Sequence, residues 1–105
     1  MTNHIKPYYA VIFTSTQKDS VEGYSEMAVK MEALAEKQDG FMGLDSARNE
    51  VGITVSYWRD LDSIKAWKQN SEHLVAQRKG RMDWYQWYSV KICKVEQEYE
   101  FGESM

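Results

Sequence analysis

Between Ile53 and Tyr88 the chain carries all four of its tryptophans and one of its two histidines, His73. The stretch closes on Trp84, Tyr85, Trp87 and Tyr88. An imidazole among rings suggests proton chemistry: an unperturbed histidine titrates near pH ~6.5, so it can accept a proton at neutral pH. The same residues also suit a core. Leu61, Ile64 and Trp67 fall at i, i+3 and i+6 on one apolar side, where packing is the common fate. His73 stands beside Glu72 and between two helix starts, where a bond to nearby backbone or carboxylate would occupy its ring. Trp84, Tyr85, Trp87 and Tyr88 include both parities of an entering strand, so one pair is expected to face away from the helices as anchors of an interface.

Other chemistries find no support. Cys93 is the only cysteine, so no internal disulfide forms, and His4 and His73 are too far apart in sequence to suggest a metal set. Asp62, Glu72 and Asp83 lack paired-carboxylate spacing, and there is no glycine-rich phosphate loop or nucleophile motif. The net charge of −3, with both signs interspersed, gives no footprint for nucleic acid. The basic run Gln77 to Arg81 reads as a solvated helix end. No window approaches the ~20 apolar residues of a membrane span, and the N-terminal "MTNHIKPYYA" has no apolar signal core. A cytoplasmic protein is the expectation, with no metal and no cofactor.

The elements that must position these residues follow from periodicity. A length of 105 residues fits one domain, 1–105, with a core over about 8–99. "YYAVIFTST" after Pro7 reads as a central strand buried on both faces. In the next segment Asp19 and Glu22 have capping-box spacing. There Val21, Tyr24, Met27, Ala28, Met31, Leu34 and Ala35 make one apolar stripe of a helix that Gly40 ends, with the methionines filling core gaps. Two strands, "FMGLDSAR" and "VGITVSYW", meet in a hairpin at Asn49–Glu50, and Val51, Ile53, Val55 and Tyr57 share one face of the second. Asp60 caps a short helix, and Asn70 and Ser71 recap another that Gly80 ends. A long strand follows the aromatic run, and the tail from Gly102 to Met105 is expected to be mobile. The order β–α–β–β–α(α)–β predicts an α+β, ferredoxin-like split βαβ fold, with an antiparallel sheet and helices on one face. The uncovered face predicts a homodimer through sheet faces.

"DGFMGLDSAR", "ITVSYWRDLDSIKAWKQNSEH" and the closing strand resemble the antibiotic-biosynthesis-monooxygenase-like domains of the dimeric α/β-barrel superfamily. The resemblance covers roughly Tyr8 to Tyr99. It is carried by Gly40–Phe41, by Trp58 with Trp67 nine residues on, and by Asn70, Glu72–His73, Ala76–Gln77, Gly80 and Trp84–Tyr85, a pattern similar to a bacterial subgroup.

Two chemistries are implied by that resemblance. One is oxidative haem degradation, whose ligand histidine lies ten residues after the helix tryptophan. Here that position is Gln77, a poor axial ligand, and "YYAVIFTST" lacks the first-strand asparagine of those enzymes. The other is cofactor-free oxygenation of a small aromatic or quinol-type substrate. It would use Trp67 and, as base, His73. Tyr57, Trp58, Trp84 and Tyr85 would form an aromatic wall, and Asn70, Gln77 and Arg81 would hold a phenolate or carboxylate. The alternative is a non-catalytic homodimeric module that binds a small hydrophobic ligand or stabilises an assembly. A closed, ring-filled space favours the module; an open pocket with a perturbed His73 favours the enzyme.

Overall fold

Residues 6–102 are described by a computed structural model; His4 and the tail beyond Gly102 lie outside this range. The elements are β1 (Tyr8–Gln17), α1 (Tyr24–Glu36), β2 (Phe41–Arg48), β3 (Gly52–Trp58), α2 (Leu61–Gln69), α3 (Ser71–Lys79), a π-helical turn (Gly80–Trp84) and β4 (Tyr85–Val95). The sheet runs β2-β3-β1-β4 with every pairing antiparallel, the split βαβ order.

Register fixes the two faces. Tyr9 opposes Trp58 and Ser15 opposes Gly52, so Tyr9, Val11, Phe13 and Ser15 share a face with Gly52, Thr54, Ser56 and Trp58. The helices lie on this face: Trp67 of α2 stacks on Trp58, and Tyr24 of α1 meets Tyr85 edge-on. The other face carries Ala10, Ile12, Ile53, Val55, Tyr57 and Trp87. Ile53 and Trp87 are 45% and 52% exposed there.

This uncovered face corrects the reading of β1. The strand is central, but only Ala10 and Ser15 are buried: the second face has no layer over it, and the helices leave Tyr9, Val11 and Phe13 on the covered face half-buried as well. Trp58, Ile64, Trp84 and Ala35 form the small apolar core under the helices.

One helix start also differs from expectation, and one helix end takes an unexpected form. α1 starts at Tyr24 rather than after a capping box at Asp19: Gly23 precedes it at φ 85 with no side-chain cap. The Glu22 carbonyl instead accepts the Trp84 indole N–H at 2.9 Å, so a tertiary contact sets the entry. α3 ends at Lys79 with Gly80 as its C-cap, as expected, but the helical path does not stop there. The Gly80 φ of −58 is helical, and the chain continues until the Tyr85 N–H reaches the Gly80 carbonyl. Gly80 is needed for space, since a Cβ there would lie 2.7 Å from the Tyr85 ring.

The closing strand begins at Tyr85, earlier than expected, because Tyr85 already pairs with Gln17 across a register shift. Within the aromatic run only Trp87 faces away from the helices, not a pair. Gly40 does turn at φ 87, but α1 has ended at Glu36. The hairpin between Arg48 and Gly52 takes Val51 out of β3.

Candidate functional site

Asp60 starts α2 by accepting the Ser63 N–H at 2.8 Å, which sets Trp67 near the helix end. Asn70 then breaks the path and caps α3, its Oδ1 accepting the N–H groups of Glu72 and His73 at 3.0 and 3.2 Å. This double cap folds His73 back over Trp67. The rings stack at 4.1 Å and 13°. Beneath them Trp67 lies 5.9 Å from Trp58, and Trp58 meets Phe41 edge-on at 5.3 Å.

The helix junction also fixes the imidazole tautomer. His73 Nδ1 lies 3.0 Å from the Trp67 carbonyl oxygen. A carbonyl only accepts, so Nδ1 carries the hydrogen and Nε2 keeps the lone pair. The Gln77 amide also lies 3.3 Å from Nδ1, but that would set donor against donor; its bond is to the Lys68 carbonyl at 3.0 Å. Burial pushes the His73 pKa below its usual value, opposed by the Trp67 carbonyl. His73 is thus a neutral, oriented imidazole at pH ~7.

The expected aromatic wall does not assemble in one place. Tyr57 is on the opposite sheet face from Trp58, as successive strand residues must be. Its hydroxyl donates to Asp45 at 3.2 Å, and its ring meets Tyr8; burial first, then Asp45, raises its pKa. Tyr8 in turn donates to Glu98 at 2.7 Å and is pushed up to about 12. Trp84 and Tyr85 sit at the far end of the sheet from Trp58. Tyr85 pairs with Gln17 and Trp58 with Tyr9, a separation of roughly 26 Å along β1. There Trp84 is buried against Tyr24, and Tyr85 packs on Phe13 and Tyr88. Arg81 is exposed on the π turn. Trp58, Trp67, Asn70, His73 and Gln77 are therefore the predicted residues that come together.

Three participants escaped the sequence reading. Phe41 completes the ring stack, while Arg48 and Ser15 join at the other end of the sheet, the Arg48 guanidinium donating to Ser15 Oγ. The signal was there for Arg48: alternation from Leu44 and Ser46 puts it on the helix-covered face.

Among the described residues no three of His, Cys, Asp and Glu cluster as a metal set. Gln77, bonded to backbone, does not fit an axial haem ligand. No described helix is long and apolar enough to cross a membrane.

With this geometry in view, comparison with known proteins agrees with the fold. Over 100 residues the chain is 45% identical to the uncharacterized protein YqjZ of Bacillus subtilis (strain 168), covering 93% of this chain and 88% of that one. The crystal structure of PA3566 from Pseudomonas aeruginosa superposes with a TM-score of 0.68 at 18% identity, over 95% of this chain and 100% of that one. A protein from Bacteroides fragilis NCTC 9343, described as dimeric and ferredoxin-like, superposes at 0.60 with 18% identity, over 84% and 96%. The sequence model of the antibiotic biosynthesis monooxygenase family matches residues 7–79, well over half of the chain. The ring stack of β3, α2 and α3 lies largely within that matched segment, and the chain belongs to the antibiotic biosynthesis monooxygenase family.

Proposed function

We propose that this chain is a homodimeric, cofactor-independent monooxygenase that oxidises a small aromatic or quinol-type molecule between the sheet and the helices, with His73 as the base. The observation that carries this reading is the fixed tautomer: Nδ1–H is tied to the Trp67 carbonyl, so the lone pair on Nε2 is available to a substrate. Burial keeps the ring neutral, the form a base requires. As Nε2 takes a proton, the Trp67 carbonyl stabilises the imidazolium through Nδ1–H. Trp67, held between His73 and Trp58, would present only its ring edge to the substrate and exclude water beside the base. Asn70 caps α3 and Gln77 ties it to α2 through the Lys68 carbonyl, which leaves Asn70 Nδ2 to donate to a substrate oxygen and Gln77 Oε1 to accept from a substrate hydroxyl.

The deprotonated substrate supplies the electrons and molecular oxygen is the oxidant. For an anthrone, the ring CH2 becomes C=O; one oxygen atom enters the product and the other leaves as water with the two hydrogens. The uncovered sheet face supports the dimer, as does the dimeric relative.

A second reading is favoured by one observation. Trp58 is 0% exposed, and the stacked rings fill the space beside it, as in a module that binds or assembles without turnover. Oxygen uptake with a panel of anthrones and quinols separates the two. The enzyme reading expects uptake that falls about 10²–10⁴-fold in His73→Gln. It also expects an acid limb in the wild-type pH profile below pH ~6.5, since protonation removes the base. Ligand-induced thermal shifts without uptake would leave the binding module, and neither effect across the panel would leave an assembly role.

A further inference from the structure

A second polar cluster lies at the opposite end of the sheet from His73. Arg48 closes β2 on the face beneath α1. Its Nη2 donates to Ser15 Oγ, a side chain with 0% exposure, and its Cζ lies 5.7 Å over the Tyr24 ring. Gly52 gives the guanidinium its room, since a Cβ there would overlap it. Among the described residues no carboxylate forms an ion pair with Arg48. Ser15 is also the only protein acceptor of its donor fork among those residues, so most of the fork is open.

Beside this cation is a groove of about 270 Å³, lined by Tyr24, Ala28, Ser46, Arg48, Gly52 and Thr54. Ser46 opposes Thr54 across β2 and β3, so two hydroxyls share the face that carries Arg48. Tyr24 supplies an aromatic wall. Nearby, burial and the Tyr24 hydroxyl raise the Tyr85 pKa, so no phenolate there competes for Arg48. The groove is smaller than the ~300–1,000 Å³ of drug-sized sites, and suits a one-ring ligand.

We propose that this groove binds a small aromatic carboxylate, its two oxygens paired with the Arg48 fork and its ring against Tyr24. A guanidinium takes a carboxylate in a bidentate, charge-assisted contact. One cation among neutral hydroxyls balances a single negative charge, which favours a carboxylate over a phosphate dianion. This site is independent of the oxidation assigned to His73.

Titration of the isotope-labelled protein with benzoate, followed by ¹H–¹⁵N NMR, tests it. Saturable shifts are expected at Ser46, Thr54 and the Arg48 Nε–H, with none from benzamide, the neutral isostere. Arg48→Gln should weaken binding about tenfold or more, and Arg48→Lys, which keeps the charge but not the fork, should be intermediate. Benzamide needs no variant, so the comparison survives a failure of Arg48→Gln to fold. Absence of saturable shifts in the wild-type protein, equal shifts from benzamide, or shifts confined to Trp67 and His73 would each overturn the proposal.

Discussion

Gly40→Ala should be among the most damaging single-methyl changes in this chain, because two costs coincide there. Gly40 has φ 87, a left-handed conformation that costs an L side chain about 1–2 kcal/mol. Its Cβ would also lie 2.6 Å from Ser63 Cβ and closer still to Ser63 Oγ. Ser63 cannot yield easily, since it is buried in α2 and its Oγ donates to Asp60 at 2.7 Å. Relief therefore requires α2 to shift, at about 1–3 kcal/mol for overpacking, giving a total of roughly 2–5 kcal/mol. The control is Gly43→Ala. Gly43 has φ 148 but nothing within 4 Å of its Cβ, so it isolates the backbone cost at about 1–2 kcal/mol. Urea unfolding at one fixed protein concentration gives both values, with unchanged m required for the comparison. Because the Gly40 carbonyl also accepts the Arg59 N–H at 2.7 Å, the shift should reach Trp67 and alter its fluorescence. A Gly40→Ala protein no less stable than Gly43→Ala would refute the close approach of α2.

Stability should fall on mild acidification through His73. The folded state holds this histidine below its usual pKa, so the unfolded chain binds the extra proton first. Stability is then lost as pH falls through about 6.5 and levels off below the folded value. His73→Gln should remove that part of the slope; parallel urea midpoints for both proteins across the window would mean a solvated ring. Asp60 acts in a separate range: the Ser63 hydroxyl and N–H hold its carboxyl at about 2, so its contribution is lost only below the ordinary carboxylate range. Light scattering at micromolar concentration should give the mass of two 12.3 kDa chains, and Ile12→Asp on the uncovered face should shift it toward one. A monomer mass for the wild-type chain would remove the dimer from the proposed function.

Much of the fold was legible because its signals are local. Alternation in β3 separated Tyr57 from Trp58, and the caps at Asp60 and Asn70 set two short helices in place. The misplaced start of α1 and the unforeseen role of Gly80 share one physical origin. Asp19 and Glu22 read as a cap from spacing, yet Trp84, over sixty residues later, takes the Glu22 carbonyl. Gly80 read as a stop, yet its lack of a side chain serves the Tyr85 ring. Both contacts are long-range or cross an element boundary, and no periodicity encodes them. The candidate site was legible in its members and not in its grouping. Nine side chains were named from one stretch, but a strand is long and has two faces, so Trp84 and Tyr85 went to one end and Tyr57 to the other side. Arg48 was missed although its parity marked it, since an arginine at a strand end is usually read as solvated.

The π turn has a consequence for how this chain tolerates sequence change. It closes from Gly80 to Tyr85, one residue wider than an α-helical turn. That extra residue makes it a phase adjuster between a structure that repeats every 3.6 residues and one that repeats every two. Met82, 67% exposed on its outer side, could be lost and the turn could tighten to α without breaking the backbone path. Tyr85 would then reach the same Gly80 carbonyl across four residues instead of five, so it would enter β4 in its present place and the faces of the strand would be kept. The segment 80–84 is thus where a single-codon deletion would be absorbed, and where length could drift between relatives without changing which rings meet the helices.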